Sequence, residues 1–294
     1  MINVFNIKSQ KIIKKIRGQA NNLEVRSLIV TYDNLFLFIG YNNGTLAQFN
    51  MKTLKEHKIY YQMIIGGITS LAITKDNKNL FLGSSEGILK QFHIQNQKEV
   101  KNYDKVITGA IRSMPVTKDE QYIFIGGGFG HLTQFDIQKR QEIKNYGKVM
   151  NGAIFSMSIT QDNHSLFISD WSGILKQFSI EGQKEVKNYR KQLPGFPGAI
   201  FALEVSCNNQ YLFFGGWEGH FKRLDISKKE FKCYLQVVKS SIRSIFLTKN
   251  GRDLFIGCTK GDFKQYFIEK SEMKLIKNYG KLFNKEIIAI TSTH

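Results

Sequence analysis

The sequence predicts an all-β protein made of repeated small sheets, and three observations lead to this prediction. A turn glycine recurs six times at intervals of 42 to 46 residues, and a tyrosine recurs in the same frame. Apolar residues alternate or run continuously, and no segment keeps the 3.6-residue period of a helix. Strand-favouring β-branched and aromatic residues are abundant. The glycines are Gly44, Gly87, Gly130, Gly173, Gly219 and Gly261, and the tyrosines are Tyr60, Tyr103, Tyr146, Tyr189, Tyr234 and Tyr279.

The residue pattern within each repeat predicts four strands, and the third repeat is an example. Its first strand alternates from Ile111 to Val116, and a polar turn at 118–120 leads into a second, apolar strand. A glycine-rich turn at 126–130 precedes the third strand, and another polar turn precedes a fourth strand that ends near Tyr146. Four short strands in about 43 residues are the pattern of one β-propeller blade.

The repeats resemble divergent WD40 repeats. The Trp-Asp dipeptide that ends the third strand in that family aligns with Phe135-Asp136 and Leu224-Asp225, and more loosely with other dipeptides elsewhere. Gly-Ala-Ile or Gly-Gly-Ile stands where the family has Gly-His. The resemblance implies a propeller that acts as a protein-interaction scaffold, held together mainly by apolar packing between blades. The family's first-turn aspartate matches Asp33, Asp76, Asp119 and Asp162, with Asn208 and Asn250 in the last two repeats.

The two ends of the sequence predict a seventh, shared blade. Residues 4–7 match a third strand, residues 11–16 a fourth strand and residues 287–290 a first strand, whereas no segment matches the second strand. We therefore expect one domain over 1–294, a seven-bladed propeller whose last blade combines 284–294 with 1–17. The missing strand is either supplied by a partner chain or lost by truncation. The six complete blades are expected at 23–62, 66–105, 109–148, 152–191, 198–236 and 240–281.

Composition narrows the classes of partner. The chain has 42 basic and 24 acidic residues, a formal net charge of +18, which favours an anionic partner or is simply a solvated lysine-rich surface. No apolar run is long enough to span a membrane, and the N-terminus lacks the features of a signal peptide. Three cysteines in no metal-like spacing indicate reduced thiols, so we expect a cytoplasmic protein.

Motifs of catalysis and metal binding are weak. The six histidines show no paired spacing, and the glycines of 126–130 are followed by His131 rather than by the lysine of a phosphate-binding loop. The recurring turn aspartates are single acids, which favours Asx turns over calcium sites. The sequence therefore predicts a protein that is not an enzyme and has no cofactor or metal.

An aromatic patch is predicted over blades 3 to 5. Trp171 and Trp217, the only tryptophans, fall in turns between second and third strands, and Phe129 lies in the preceding blade. Phe196 lies in an inserted loop that carries two prolines, which stiffen it. Exposed aromatic residues of this kind serve as interface hot spots. The alternative is that both tryptophans fold back to pack their own turns.

Basic residues are expected near the same face. Arg26, Arg112 and Arg243 occupy equivalent positions in first strands, near the predicted channel mouth, whereas Lys148, Arg190 and Lys191 flank the recurring tyrosine. The tyrosine itself is expected to be structural, as an aromatic residue at a strand end that packs between blades. The sequence thus predicts a non-catalytic interaction scaffold, a subunit of a larger assembly, whose partner is a protein such as an acidic peptide or a chain that completes blade 7. The alternative is a basic propeller that binds nucleic acid or anionic lipid.

Overall fold

The computed structural model describes residues 2–6, 11–16, 23–189, 198–269, 272–281, 287 and 290. The chain divides into two compact units, Met1–Val106 and Ile107–Ser292. The described residues form antiparallel sheets in which strands that are consecutive in sequence are neighbours. Six of these sheets have four strands each, so the all-β prediction is confirmed and the fold is a β-propeller with six four-stranded blades.

The first unit contains a two-stranded hairpin and two blades. The hairpin pairs β1 (Ile2–Asn6) with β2 (Lys11–Ile16). Blade 1 consists of β3 (Val25–Val30), β4 (Phe36–Tyr41), β5 (Leu46–Asn50) and β6 (Lys55–Tyr60). Blade 2 consists of β7 (Ile68–Ile73), β8 (Asn79–Ser84), β9 (Ile88–His93) and β10 (Lys98–Lys105).

The second unit contains four blades. Blade 3 consists of β11 (Ile111–Ser113), β12 (Tyr122–Gly127), β13 (His131–Asp136) and β14 (Gln141–Lys148). Blade 4 consists of β15 (Ile154–Ile159), β16 (Ser165–Asp170), β17 (Leu175–Ser179) and β18 (Lys184–Asn188). Blade 5 consists of β19 (Ile200–Val205), β20 (Tyr211–Gly216), β21 (His220–Asp225) and β22 (Glu230–Gln236). Blade 6 consists of β23 (Ile242–Leu247), β24 (Asp253–Cys258), β25 (Asp262–Glu269) and β26 (Glu272–Lys281).

The prediction of seven blades was wrong, because the structure has six. The hairpin occupies the segments expected to be the third and fourth strands of blade 7, but in the described residues β1 and β2 pair only with each other. A second strand is what joins a first strand to a third, and none of the described segments supplies one. Of the expected first strand at 287–290, the structure describes Ile287, which packs on Gly257 of blade 6, and Ile290.

Neighbouring blades interlock through an isoleucine and a glycine. Ile154 at the start of blade 4 is fully buried, and it lies against Gly126 in the second strand of blade 3. A Cβ on Gly126 would lie 3.1 Å from Ile154 Cγ2 and 2.8 Å from Met157, so any larger residue would push the blades apart. Ile68 against Gly40 and Ile242 against Gly215 repeat this contact within their own units.

The recurring tyrosine is a structural residue, as the sequence favoured. In blades 1, 2, 3, 4 and 6 its hydroxyl donates to a glutamine Oε1 of the third strand over 2.7–3.0 Å. Burial raises the pKa of Tyr146 and of Tyr189 to about 12, so both hydroxyls remain donors at neutral pH. The ring of Tyr146 also packs edge-on against Phe178 of the next blade, with centroids 6.0 Å apart. This pair provides the tyrosine contact between blades that the sequence suggested.

The turn aspartates also have a structural role. Asp76 Oδ1 accepts hydrogen bonds from the Thr74 hydroxyl and the Lys78 N–H. In the other five blades the side chain at this position likewise accepts from the backbone N–H two residues later. The prediction of Asx turns at these positions is therefore confirmed. No group of three or more metal-ligating side chains comes together in the described part of the chain. A helix of the length and apolarity needed to cross a bilayer is likewise absent from these residues.

Candidate binding surface

The first strand of every blade carries a β-bulge next to its first paired residue. In blade 4, Ile154 pairs with Asp170 and Ser156 pairs with Ser169, so Phe155 is the extra residue. Bulges redirect a side chain and are common beside functional sites. The bulge residues are Arg26 and Thr69 in the first unit, and Arg112, Phe155, Phe201 and Arg243 in the second unit.

The turn between the second and third strands lies next to each bulge. The N–H of Trp171 donates to the Ala153 carbonyl over 3.3 Å, and the N–H of Trp217 donates to the Ala199 carbonyl over 2.9 Å. Each acceptor immediately precedes its blade's first strand. The same hydrogen bond recurs at the first turn position of the other four blades. The backbone thus holds both tryptophans beside the bulge residues.

Phe155, Trp171, Phe201 and Trp217 form one aromatic cluster. The centroid of Trp171 lies 5.7 Å from that of Phe155, 6.0 Å from that of Phe201 and 6.3 Å from that of Trp217. Phe155 and Phe201 meet edge-to-face at 5.1 Å. Phe201 is 6% exposed, whereas Trp171 and Trp217 are 55% and 41% exposed. The two phenylalanines are therefore the less exposed base of the cluster, and the two indole rings lie on them and remain accessible.

Two arginines flank this base. The guanidinium of Arg112 lies 4.6 Å from the centroid of Phe155, and that of Arg243 lies 4.2 Å from the centroid of Phe201. Both distances are typical of cation–π contacts. Arg112 is exposed and Arg243 is half-buried. Bulge residues of four successive blades thus read Arg, Phe, Phe, Arg, with the tryptophans over the middle pair.

The structure brings together four of the ten predicted binding residues: Trp171, Trp217, Arg112 and Arg243. The two tryptophans pack on neighbouring rings and still expose about half of their surface. Sequence reasoning missed Phe155 and Phe201. A signal was available, because only these two repeats have an aromatic residue directly after the first-strand isoleucine.

The other predicted residues lie elsewhere or outside the described range. Phe129 is at the second turn position, since Gly128 takes the first, and its exposed ring lies against Gly109. Lys148 is exposed at the end of an edge strand. Arg26 belongs to the first unit, where it forms a 2.8 Å ion pair with Glu24. Arg190, Lys191 and Phe196 lie outside the described residues.

A buried acid stands on the same strand as Phe201. Burial raises the pKa of Glu204 to about 7, against the opposing effects of the Lys118 charge and of a hydrogen bond from the Leu247 N–H. Ser158 holds the equivalent position in blade 4, where its hydroxyl accepts from the Val205 N–H. Glu204 therefore ties blade 5 to blade 6 in the way that Ser158 ties blade 4 to blade 5.

The three cysteines differ in their exposure. All three are free thiols, and Cys258 is buried. Burial raises the pKa of Cys258 to about 12, which keeps its sulfur protonated and unreactive at neutral pH.

Comparison with known proteins adds no relative to this description. No family model matches the chain, and no curated protein matches it. The β-propeller fold and the Arg-Phe-Phe-Arg arrangement therefore rest on the sequence repeats and the geometry.

Proposed function

We propose that this propeller is a protein-interaction module and that the aromatic cluster with its two arginines is its docking surface. The observation that supports this most strongly is the exposure of Trp171 and Trp217 above a fixed base. Tryptophan and arginine are the residues most enriched in interface hot spots. Their rings are already positioned by neighbouring side chains, which lowers the ordering cost of binding.

The chemistry of the cluster favours a peptide segment that combines an apolar side chain with an acidic one. Indole faces at Trp171 and Trp217 offer apolar contact area. Arg112 combines a cation–π contact to Phe155 with N–H donors of the kind that bind a carboxylate in pairs. The ligand would lay its apolar group on the indoles and place its carboxylate toward Arg112.

We further propose that binding at this surface involves no catalysis. Its polar side chains are arginines, which stay protonated and act as neither general base nor nucleophile at neutral pH. The proposal agrees with the use of propellers as assembly platforms, although the fold alone does not define a function.

Affinity capture with the full chain tests the proposal. We expect wild type to recover a defined protein partner and the double variant Trp171→Ala/Trp217→Ala to recover at least tenfold less, with a nearly unchanged melting temperature. Ser85→Ala, at the turn position of blade 2 that corresponds to Trp171, is the matched control and should behave as wild type. Equal recovery by the double variant would refute the assignment of this surface.

Nucleic-acid binding is the second candidate, because the chain carries a net charge of +18 and exposed indoles can stack on bases. Several lysines are nevertheless engaged within the fold. Lys58, Lys101, Lys144, Lys232 and Lys277 each lie 4.9–5.5 Å from a ring centroid of the recurring tyrosine. Retention on single-stranded RNA that falls steeply with salt would favour this candidate over the protein partner.

A further inference from the structure

A recurring asparagine joins neighbouring blades at the first turn of blades 2, 4 and 5. The Tyr32 N–H of blade 1 donates to Asn77 Oδ1 of blade 2 over 2.6 Å. In the second unit, the Lys118 N–H donates to Asn163 and the Gln161 N–H donates to Asn209, each over 2.6 Å. All three asparagines adopt a left-handed backbone with φ of 57° to 60°, which asparagine tolerates well.

Two blades depart from this pattern, because blade 3 has Glu120 and blade 6 has a glycine at the asparagine position. The equivalent of Tyr32, Lys118 and Gln161 in blade 5 is Cys207, and the residue that should offer it an acceptor is Gly251. Gly251 keeps the left-handed backbone, with φ of 67°, but has no side chain to reach across. The Cys207 thiol instead lies 3.9 Å from the Thr248 carbonyl oxygen.

A groove occupies the place of the missing side chain. Its volume is about 530 Å³, and both Cys207 and Gly251 line it. A Cβ built on Gly251 would meet no heavy atom within 4 Å, so the space beside this residue is open. The rest of the lining combines polar and apolar side chains. These include Asn208, Gln210 and Asn250 on the polar side and Tyr211, Phe213 and Ile268 on the apolar side.

We propose that this groove binds an asparagine side chain of a partner peptide, whose amide oxygen takes the position that an asparagine of the next blade fills elsewhere. The acceptor would meet the Cys207 N–H, as Asn209 Oδ1 meets the Gln161 N–H. The groove is far larger than one carboxamide, so residues beside the asparagine would lie on Tyr211 and Ile268.

The chemistry of the groove lining favours a neutral carboxamide as the group that binds. The groove is lined by amides, a hydroxyl, a thiol and apolar groups, without a charged side chain among the described residues that form it. The nearby Arg223 guanidinium lies 4.1 Å from the ring centroid of Tyr211, and a carboxamide can both accept hydrogen bonds from this lining and donate to it. The groove lies at the Tyr211 end of β20 and Trp217 follows the other end, so the two proposed surfaces can be tested independently.

Selective labelling with [15N]cysteine tests this proposal, because the full chain then gives only three amide signals, those of Cys207, Cys233 and Cys258. The probe is N-acetyl-asparagine N-methylamide. We expect its addition to move the Cys207 amide proton downfield with a Kd of roughly 1 to 10 mM, as a ligand of this size allows. The signals of Cys233, which is exposed, and Cys258, which is buried, should stay in place.

Two variants and one control ligand sharpen the test. Gly251→Asn should restore the internal hydrogen bond, so that Cys207 is already shifted downfield and its response to the probe falls at least tenfold. Gly251→Ala introduces a Cβ without a carboxamide and should retain the response. N-acetyl-alanine N-methylamide should leave Cys207 unchanged. The proposal is overturned if Cys207 does not respond to the asparagine probe, if it responds equally to the alanine analogue, or if Gly251→Asn responds as wild type does.

Discussion

Blade 2 and blade 4 share one framework and differ at the rim. In both, the recurring tyrosine donates to a third-strand glutamine over 2.8 Å. In both, a turn aspartate accepts a backbone N–H two residues later, over 2.9 Å and 3.0 Å. The bulge residue, however, is Thr69 in blade 2 and Phe155 in blade 4, and the adjacent turn begins with Ser85 in one and Trp171 in the other.

This difference shows which positions the backbone requires and which it leaves open. In blades 2 and 4, tyrosine, glutamine and aspartate satisfy buried or turn polar groups, so these positions hold residues that form hydrogen bonds. Asparagine replaces the aspartate in blades 5 and 6, and Arg223 replaces the glutamine in blade 5. A bulge residue is unpaired in the ladder, so the hydrogen-bonding pattern of the strands does not fix its side chain. Blade 4 uses that freedom to present aromatic surface, and blade 2 does not.

The largest expected effect separates the two bulge positions. Phe155→Ala should destabilise the protein by about 2 kcal/mol, because it removes the ring that contacts Arg112, Trp171 and Phe201. Thr69→Ala should cost less than about 1 kcal/mol, the value of its hydrogen bond to the Gly83 carbonyl. Urea denaturation of both variants measures the contrast. Equal losses would show that blade 4 needs its aromatic residue for folding as much as for its surface.

A second effect depends on pH and concerns the first strand of blade 5. Glu204 stands there at the position that Ser158 holds in blade 4. Its pKa is raised in the folded state to about 7. The folded protein therefore binds more protons than the unfolded chain between pH 4.5 and 7, so this residue's contribution to stability is present at low pH and is lost as the pH rises through 7.

Glu204→Gln should remove that loss while keeping an acceptor for the Leu247 N–H. We expect a gain of roughly 1 to 3 kcal/mol at pH 8 relative to wild type and little gain at pH 4.5. Thermal denaturation across this pH range provides the measurement. A gain that is independent of pH would mean that Glu204 is not the titrating group.

A smaller effect should be common to both blades. Tyr103→Phe in blade 2 and Tyr189→Phe in blade 4 each remove one hydroxyl that donates to glutamine. Each should lower the free energy of unfolding by about 1 kcal/mol. If the free energy of unfolding fell much more in one variant than in the other, the shared framework would not contribute equally to stability in the two blades.

The smallest expected effect concerns the asparagines that fasten neighbouring blades. Asn77→Gly and Asn163→Gly each remove one hydrogen bond between blades, but glycine adopts their left-handed backbone without strain. We expect each variant to lower the free energy of unfolding by roughly 0.5 to 1 kcal/mol. The amide proton signal of Tyr32 in the first variant, and of Lys118 in the second, should move upfield. Amide signals that stay unchanged would show that these hydrogen bonds do not persist in solution.

Much of the framework could be predicted from the sequence because its determinants are local. Strand alternation, the turn glycines and the Asx turns depend on residues a few positions apart, and they recur six times. The blade count was predicted less well. Matching a terminal segment to a strand pattern does not establish pairing, and β1 and β2 pair only with each other in the described residues.

The sequence by itself determined the repeated four-stranded sheets, their turns and the tryptophans that mark one rim. Only the tertiary structure decided that Phe155 and Phe201 are bulge residues, that Arg112 and Arg243 stack on them, and that Gly251 leaves a groove beside Cys207. The physical reason is distance along the chain. These partners are about one repeat apart, so they meet only when neighbouring blades pack, and no short segment of sequence encodes that contact.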